Sequence, residues 1–140
     1  MSQTPQAKYL KDYQSPDFFI PNTELFFTLD DHQTIVRSKL QLVRNGEHTN
    51  SLVLNSKVDE VLSVKVDGVE LTSFVIENET LSIEISLNEF TLEIESISDP
   101  ANNTALEGLY KSAGVYCTQC EAEGFRKITP YLDRPDVLSK

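Results

Sequence analysis

Cys117-Thr118-Gln119-Cys120, with the carboxylates of Glu121 and Glu123 directly after it, is the densest run of chemically versatile side chains in the sequence. A Cys-x-x-Cys pair serves as half of a tetrahedral zinc site or as the dithiol of a redox enzyme. The zinc reading needs two further ligands, and the only histidines, His32 and His48, lie far upstream among turn-forming residues. The redox reading needs the pair to open a helix after a strand, a pattern that the polar, Gly-containing surroundings do not provide. We therefore expect two reduced thiols, two exposed histidines and no metal ligands. Read from residue type alone, Glu121 is either a solvated loop carboxylate or a binding group for a cation.

Other chemistry is excluded more directly. The 5 glycines form no phosphate-cradling loop, and no His-Glu-x-x-His pair, nucleophile elbow or Walker lysine occurs. No catalytic residue is expected. With 12 Lys and Arg against 22 Asp and Glu, the formal net charge is −10, and the basic residues are scattered. Nucleic acids and anionic membranes both need clustered cations, so neither is expected as a partner. No apolar run approaches the roughly 20 residues of a membrane span, and the opening residues do not form a secretory leader. These features lead us to expect a cytoplasmic protein, in which the glycosylation-like triplets at Asn78 and Asn102 have no role.

The elements that must position these groups are strands. From about Thr23 to Ile97 apolar residues alternate with polar ones, the signature of strands with one buried face. Glu24 to Leu29 and Thr34 to Arg44 flank the polar turn Asp30-Asp31-His32-Gln33, which predicts a long hairpin with Val36, Leu40 and Leu42 inward. Asp67-Gly68 between alternating runs is a strong short-hairpin signal, and Asn78-Glu79 repeats the device. Ser51 to Leu54 and Thr91 to Ile97 add two more strands. The expected fold is all-β, an antiparallel β-sandwich or saddle-like sheet filling one domain over residues 1–140. After Pro100 the period is lost, and residues 101–140 are expected to be a loop-rich tail, where binding residues usually lie.

That tail carries a resemblance. Asn103 to Ser112, Tyr116 to Ile128 with its Gln119-Cys120-Glu121 element, and Tyr131 to Val137 with Asp133-Arg134-Pro135-Asp136 resemble the amino-terminal domain of the aminopeptidase N family, zinc-dependent alanyl aminopeptidases of the gluzincin class. Gln6 to Tyr9 and Asp12-Tyr13 extend the likeness over nearly the whole chain. The resemblance implies a non-catalytic β domain that walls the substrate cavity of a metallopeptidase acting on peptide amino termini. It implies that zinc and its ligands lie elsewhere in the parent enzyme, and that this chain binds none. It assigns Glu121 to the substrate's α-amino group and Gln119 to the pocket for the first side chain.

The family's first domain has strands beyond the point matching Lys140. The resemblance therefore implies an incomplete domain, separated from its catalytic partner and able to self-associate through an exposed edge. Glu123, Arg126, Asp133, Arg134 and Asp136 are expected to be structural, with Arg126 and Arg134 each in a buried pair. Two readings compete with an aminopeptidase portion: a stand-alone β-sandwich binding module, and a small redox protein using Cys117 and Cys120.

Overall fold

A computed structural model describes residues 6–140. Among the described residues ten strands make up the sheets: β1 (Phe18–Thr28), β2 (Thr34–Arg44), β3 (Leu52–Asn55), β4 (Glu60–Val66), β5 (Val69–Glu70), β6 (Val75–Glu77), β7 (Thr80–Ile83), β8 (Glu89–Ser98), β9 (Gly108–Ser112) and β10 (Val115–Gln119). The helical content among the described residues is three short 3-10 turns, at Leu10–Asp12, Pro100–Asn102 and Phe125–Lys127. None is long and apolar enough to cross a membrane.

The strands form a five-stranded sheet in the order β1-β2-β8-β4-β5, a three-stranded sheet β3-β7-β6 and the hairpin β9-β10. All named pairings are antiparallel. The alternation of β2 places Val36, Ser38, Leu40 and Leu42 on one buried face, and β8 does the same with Phe90, Leu92, Ile94 and Ser96. Phe18, Ile20, Leu40, Leu42, Leu92 and Ile94 of the large sheet meet Leu52, Leu54, Leu81 and Ile83 of the small sheet in one cluster. The expected two-layer antiparallel β architecture is the one observed.

Turn chemistry fixes the registers. Asp67 and Gly68 both adopt positive φ, 49° and 81°, as a twist-matched two-residue hairpin requires. Asn78 and Glu79 do the same at 49° and 60°, without a glycine. The first strand begins earlier than the alternation indicates. Pro21 interrupts the pattern, and the β1–β2 register slips between Phe19 and Asn22. A proline at an edge-strand bulge loses no ladder hydrogen bond, so the strand runs through it.

Arg44, buried at the end of β2, donates from Nη1 to the Asn50 carbonyl at 2.9 Å and from Nη2 to the Ile85 carbonyl at 2.6 Å. It also stacks over Phe18, 4.7 Å from the ring centroid. His48 departs from its expected exposure. It is half-buried edge-on against Phe18, and its Nε2 donates to the Asp17 carbonyl at 2.9 Å. Its Nδ1 is thereby left as the acceptor facing Arg44 and the Asn50 amide.

Candidate functional site

The tail expected to be loop-rich contains the hairpin that carries Gln119. Its turn, Ala113-Gly114, has φ of 49° and 82°. Leu109 packs with Val36 of β2 and Ile128 in a second, smaller cluster, flanked by Tyr116, Cys120 and Phe125. Gln119 pairs with Gly108 and Cys117 with Tyr110, so these residues share the opposite face of the hairpin. Each strand has five residues, and Leu109 is the one hairpin side chain buried in that cluster, too short a pattern to announce a period.

Beyond Gln119 the chain folds back on itself tightly. The Gly124 amide donates to the Cys120 carbonyl at 2.9 Å, and a Cβ on Gly124 would lie 2.8 Å from the Gln119 carbonyl oxygen and 3.0 Å from Cys120 Cα. Only glycine permits that approach. Gly108 is similarly required, with φ of +73° and space for a Cβ only 2.7 Å from that of Lys127.

The far side of the loop is fixed by Arg126. Its Nε donates to Asp133 Oδ2 at 2.9 Å, and its amide donates to the same carboxylate at 3.2 Å. Its carbonyl accepts from the Lys57 amide at 2.8 Å. Phe125 meets Tyr131 edge-on with ring centroids 4.7 Å apart, and Lys127 pairs with Glu107 at 3.0 Å. Arg134 pairs with Asp136 at 2.7 Å and donates to the Gln14 carbonyl, while Tyr13 donates to the same Asp136. Both arginines sit in local ion pairs, but only that of Arg126 is buried as expected, its side chain being 13% exposed against 34% for Arg134.

Glu121, Ala122 and Glu123 occupy the exposed tip between these anchors, and the Glu121–Ala122 peptide bond is cis. The two glutamates differ in their surroundings. Glu123 Oε2 lies 3.6 Å from Arg126 Nη2, whereas no cationic side chain among the described residues pairs with the Glu121 carboxylate. The Glu121 amide donates to Gln119 Oε1 at 3.0 Å, which ties the two candidate residues to each other. What results is an exposed, unpaired carboxylate on a backbone held at both ends. That is the arrangement a cation-binding group needs.

The neighbouring thiols do not share this poise. Cys117 and Cys120 are both free. Burial pushes the Cys120 thiol up, and the Asp133 carboxylate adds to the shift. A raised thiol pKa is the opposite of what activates a nucleophilic cysteine. Among the described residues no three His, Cys, Asp or Glu side chains converge as metal ligands. These residues do not fit a zinc ion, and no chemical step here runs through one. A polar cleft of about 420 Å³ opens elsewhere, beside His32, Lys57, Asp59, Asp99 and Lys127. Gln119 and Glu121 do not line it, and Lys57, Lys127 and His32 already face carboxylates.

The hairpin is joined to the β1–β2 turn by a pin that sequence reading did not reveal. Tyr116 Oη and Lys111 Nζ both donate to Asp31 Oδ1, at 2.6 and 2.7 Å. The bond to Asp31, with burial second, pushes the Tyr116 phenol up to about 12, and the Lys111 and Tyr116 bonds hold the Asp31 carboxyl below its usual range. The phenol is favoured protonated in the fold. Its contribution is therefore present below pH 10, the ordinary tyrosine value, and is lost as pH rises through about 12. Asp31 acts in the opposite sense, its contribution disappearing as pH falls through its lowered pKa. Titration of phenolate absorbance should show a late step near pH 12 that Tyr116→Phe removes. An unchanged curve in that variant would contradict the pin.

Set against known proteins, the chain matches the Peptidase M1 N-terminal domain over residues 20–140, and it belongs to that family. It is 47% identical to aminopeptidase N of Escherichia coli strain K12 across 100% of its own length, which covers 16% of that relative. The crystal structure of Legionella pneumophila aminopeptidase A in complex with aspartic acid superimposes with a TM-score of 0.84 at 31% identity, covering 94% of this chain and 16% of that one. An M1 zinc metallopeptidase from Deinococcus radiodurans shares the fold at a TM-score of 0.74 and 15% identity, over 89% of this chain and 31% of its own. The chain thus spans only 16% of the length of the Escherichia coli and Legionella pneumophila aminopeptidases.

Proposed function

We propose that this chain is the amino-terminal, substrate-anchoring portion of a zinc-dependent aminopeptidase, and that Glu121 receives the free α-ammonium group of the peptide. The observation that carries the reading is the unpaired Glu121 carboxylate on a doubly anchored loop, in a chain whose neighbour Glu123 is already turned to Arg126. An exopeptidase must count from the amino terminus. A fixed carboxylate does this because an internal peptide nitrogen carries no charge to match it. With its Oε1 engaged by the Glu121 amide, Gln119 presents its carboxamide NH₂ toward the first side chain.

Zinc and the catalytic base belong to polypeptide outside these residues, which also closes the cavity opposite Glu121. The test is a comparison of the 140-residue chain with a longer protein that contains it. The longer protein should hydrolyse aminoacyl anilides, lose that activity to a chelator and regain it with zinc, and the short chain should not hydrolyse them. Equal cleavage of free and N-acetylated substrates by the longer protein would overturn the reading.

A further inference from the structure

Each cationic side chain that lines the polar cleft at the end of β8 already has a carboxylate of its own. His32 faces Asp99 at 3.2 Å, Lys57 faces Glu79 at 3.5 Å and Lys127 faces Glu107 at 3.0 Å. Asp59 and Glu60 line the same cleft and pair with no cation among the described residues. Their backbone is fixed nonetheless. The Asp59 amide donates to the Ile97 carbonyl at 3.1 Å, and Glu60 stands opposite Ile97 in the β4–β8 ladder.

Two exposed carboxylates alone would make no site. A second group in the lining also lacks a partner. Ser98 is 7% exposed, and its hydroxyl makes no hydrogen bond. The hydroxyl opposite it in the ladder is already engaged: Thr34 Oγ1 donates to the Asp30 carbonyl at 2.6 Å and accepts from the Asp30 amide at 3.0 Å. Ser98 shares the inward face of β8 with Ile94 and Ser96. Leu109, which packs against Val36 of the same sheet, forms a wall of the cleft with it. The Ser96 hydroxyl is unpartnered as well, but Ser96 is outside the lining, so of the two only Ser98 borders the cleft. A buried hydroxyl without a partner is uncommon and costs stability until something satisfies it.

We propose that this cleft binds a primary alkylammonium ion. Its N–H donors meet the carboxylates of Asp59 and Glu60 and the hydroxyl of Ser98, and its alkyl stem lies along Ile97 and Leu109. An ammonium brings one positive charge and three donors, which are what the unmatched groups of the lining accept. An anion would have to break existing ion pairs to find a cation here. A metal ion would need three converging ligands, and the described residues hold no such group. The volume of about 420 Å³ falls within the range of small-molecule pockets. Glu121 lies outside this lining, so the site is distinct from the one proposed for the peptide amino terminus.

The experiment titrates the full 140-residue chain with butylammonium and follows backbone amide resonances. Saturable shifts should centre on Asp59, Ser98 and Leu109 and persist in Glu121→Gln. Asp59→Asn should raise Kd by at least about tenfold, and Ser98→Ala by at least about fivefold. Tetramethylammonium, which has the charge but no donor, should bind at least about tenfold more weakly than butylammonium. N-acetyl-lysine amide separates the sources of the ammonium. Tighter binding of it than of butylammonium assigns a lysine side chain, and the reverse order a free amine; either supports the site. The absence of saturable shifts at these residues would overturn the proposal. So would equal binding of tetramethylammonium, since the net acidity of the chain would then be the whole attraction, or a Kd unchanged by Ser98→Ala.

Discussion

Glu121→Gln, introduced into the longer enzyme that contains this chain, is expected to lower kcat/KM on peptides with a free amino terminus by about ten- to a hundred-and-fifty-fold. The substitution keeps the shape of the side chain and removes its charge. What is lost is one charge-assisted hydrogen bond, about 1.5–3 kcal/mol, which sets the scale of the rate effect. Because the loop is held by Gly124, Arg126 and the second cluster rather than by the Glu121 carboxylate, folding should be unaffected. Zinc content should be unchanged as well, since these residues supply no ligand set.

The control lies two residues further along the same loop. Glu123→Gln alters a carboxylate that is 60% exposed and 3.6 Å from Arg126, where an ion pair contributes at most about 1 kcal/mol. It should leave kcat/KM within about threefold. Equal losses from the two substitutions would mean that the acidity of the loop attracts substrate without a specific anchor. A silent Glu121→Gln would remove the assignment altogether. The split between constants is informative too: a rise in KM at constant kcat signals binding lost equally from ground and transition states.

The strands were legible where one face is fully buried and the other is not. β2 and β8 alternate over their whole length because each is flanked on both sides by strands, with the core beneath. The hairpin turns were legible for a related reason, since few residue pairs tolerate two successive positive φ values. The β9-β10 hairpin escaped because its cover is a three-residue cluster drawn from distant segments. Neither Val36 nor Ile128 announces Leu109 by spacing. The Tyr116–Asp31 pin spans 85 residues, and no local pattern encodes it.

The candidate site was legible only in part. Gln119 and Glu121 entered through the resemblance of the Gln119-Cys120-Glu121 element to a known family. In composition and spacing Glu121 and Glu123 are alike. The feature that separates them is the Arg126 guanidinium, which reaches back to Glu123 only after the chain has turned at Gly124. The burial of His48 is hidden from its local sequence for the opposite reason. A turn-like local sequence gave no sign that Phe18 and Arg44 would close over it.

The second large effect is expected at Arg126, where Arg126→Met should cost about 2–3 kcal/mol of folding stability. Arg126 and Asp133 side chains are 13% and 12% exposed, so their pairing takes place largely out of water. Removing one member of a fully buried pair costs about 3–5 kcal/mol, chiefly because the other charge is stranded. Here the Arg126 amide still donates to Asp133 at 3.2 Å and some solvent reaches the carboxylate, which lowers the figure. The midpoint of urea unfolding should fall with an unchanged slope. Arg126→Lys should recover part of the loss, because an ammonium reaches Oδ2 but cannot also donate to the Asp133 carbonyl as the guanidinium Nη2 does. Combining Arg126→Met with Asp133→Leu should cost less than the sum of the two single changes, since no charge is left unpaired. A loss below about 0.5 kcal/mol in Arg126→Met would show that water replaces the arginine, as it does at exposed pairs. In the longer enzyme Arg126→Met should also raise KM at a temperature where it remains folded, because the segment holding Glu121 in place is then free to shift. A destabilised variant with an unaltered KM would place the anchoring of Glu121 in Gly124 and Gln119 alone.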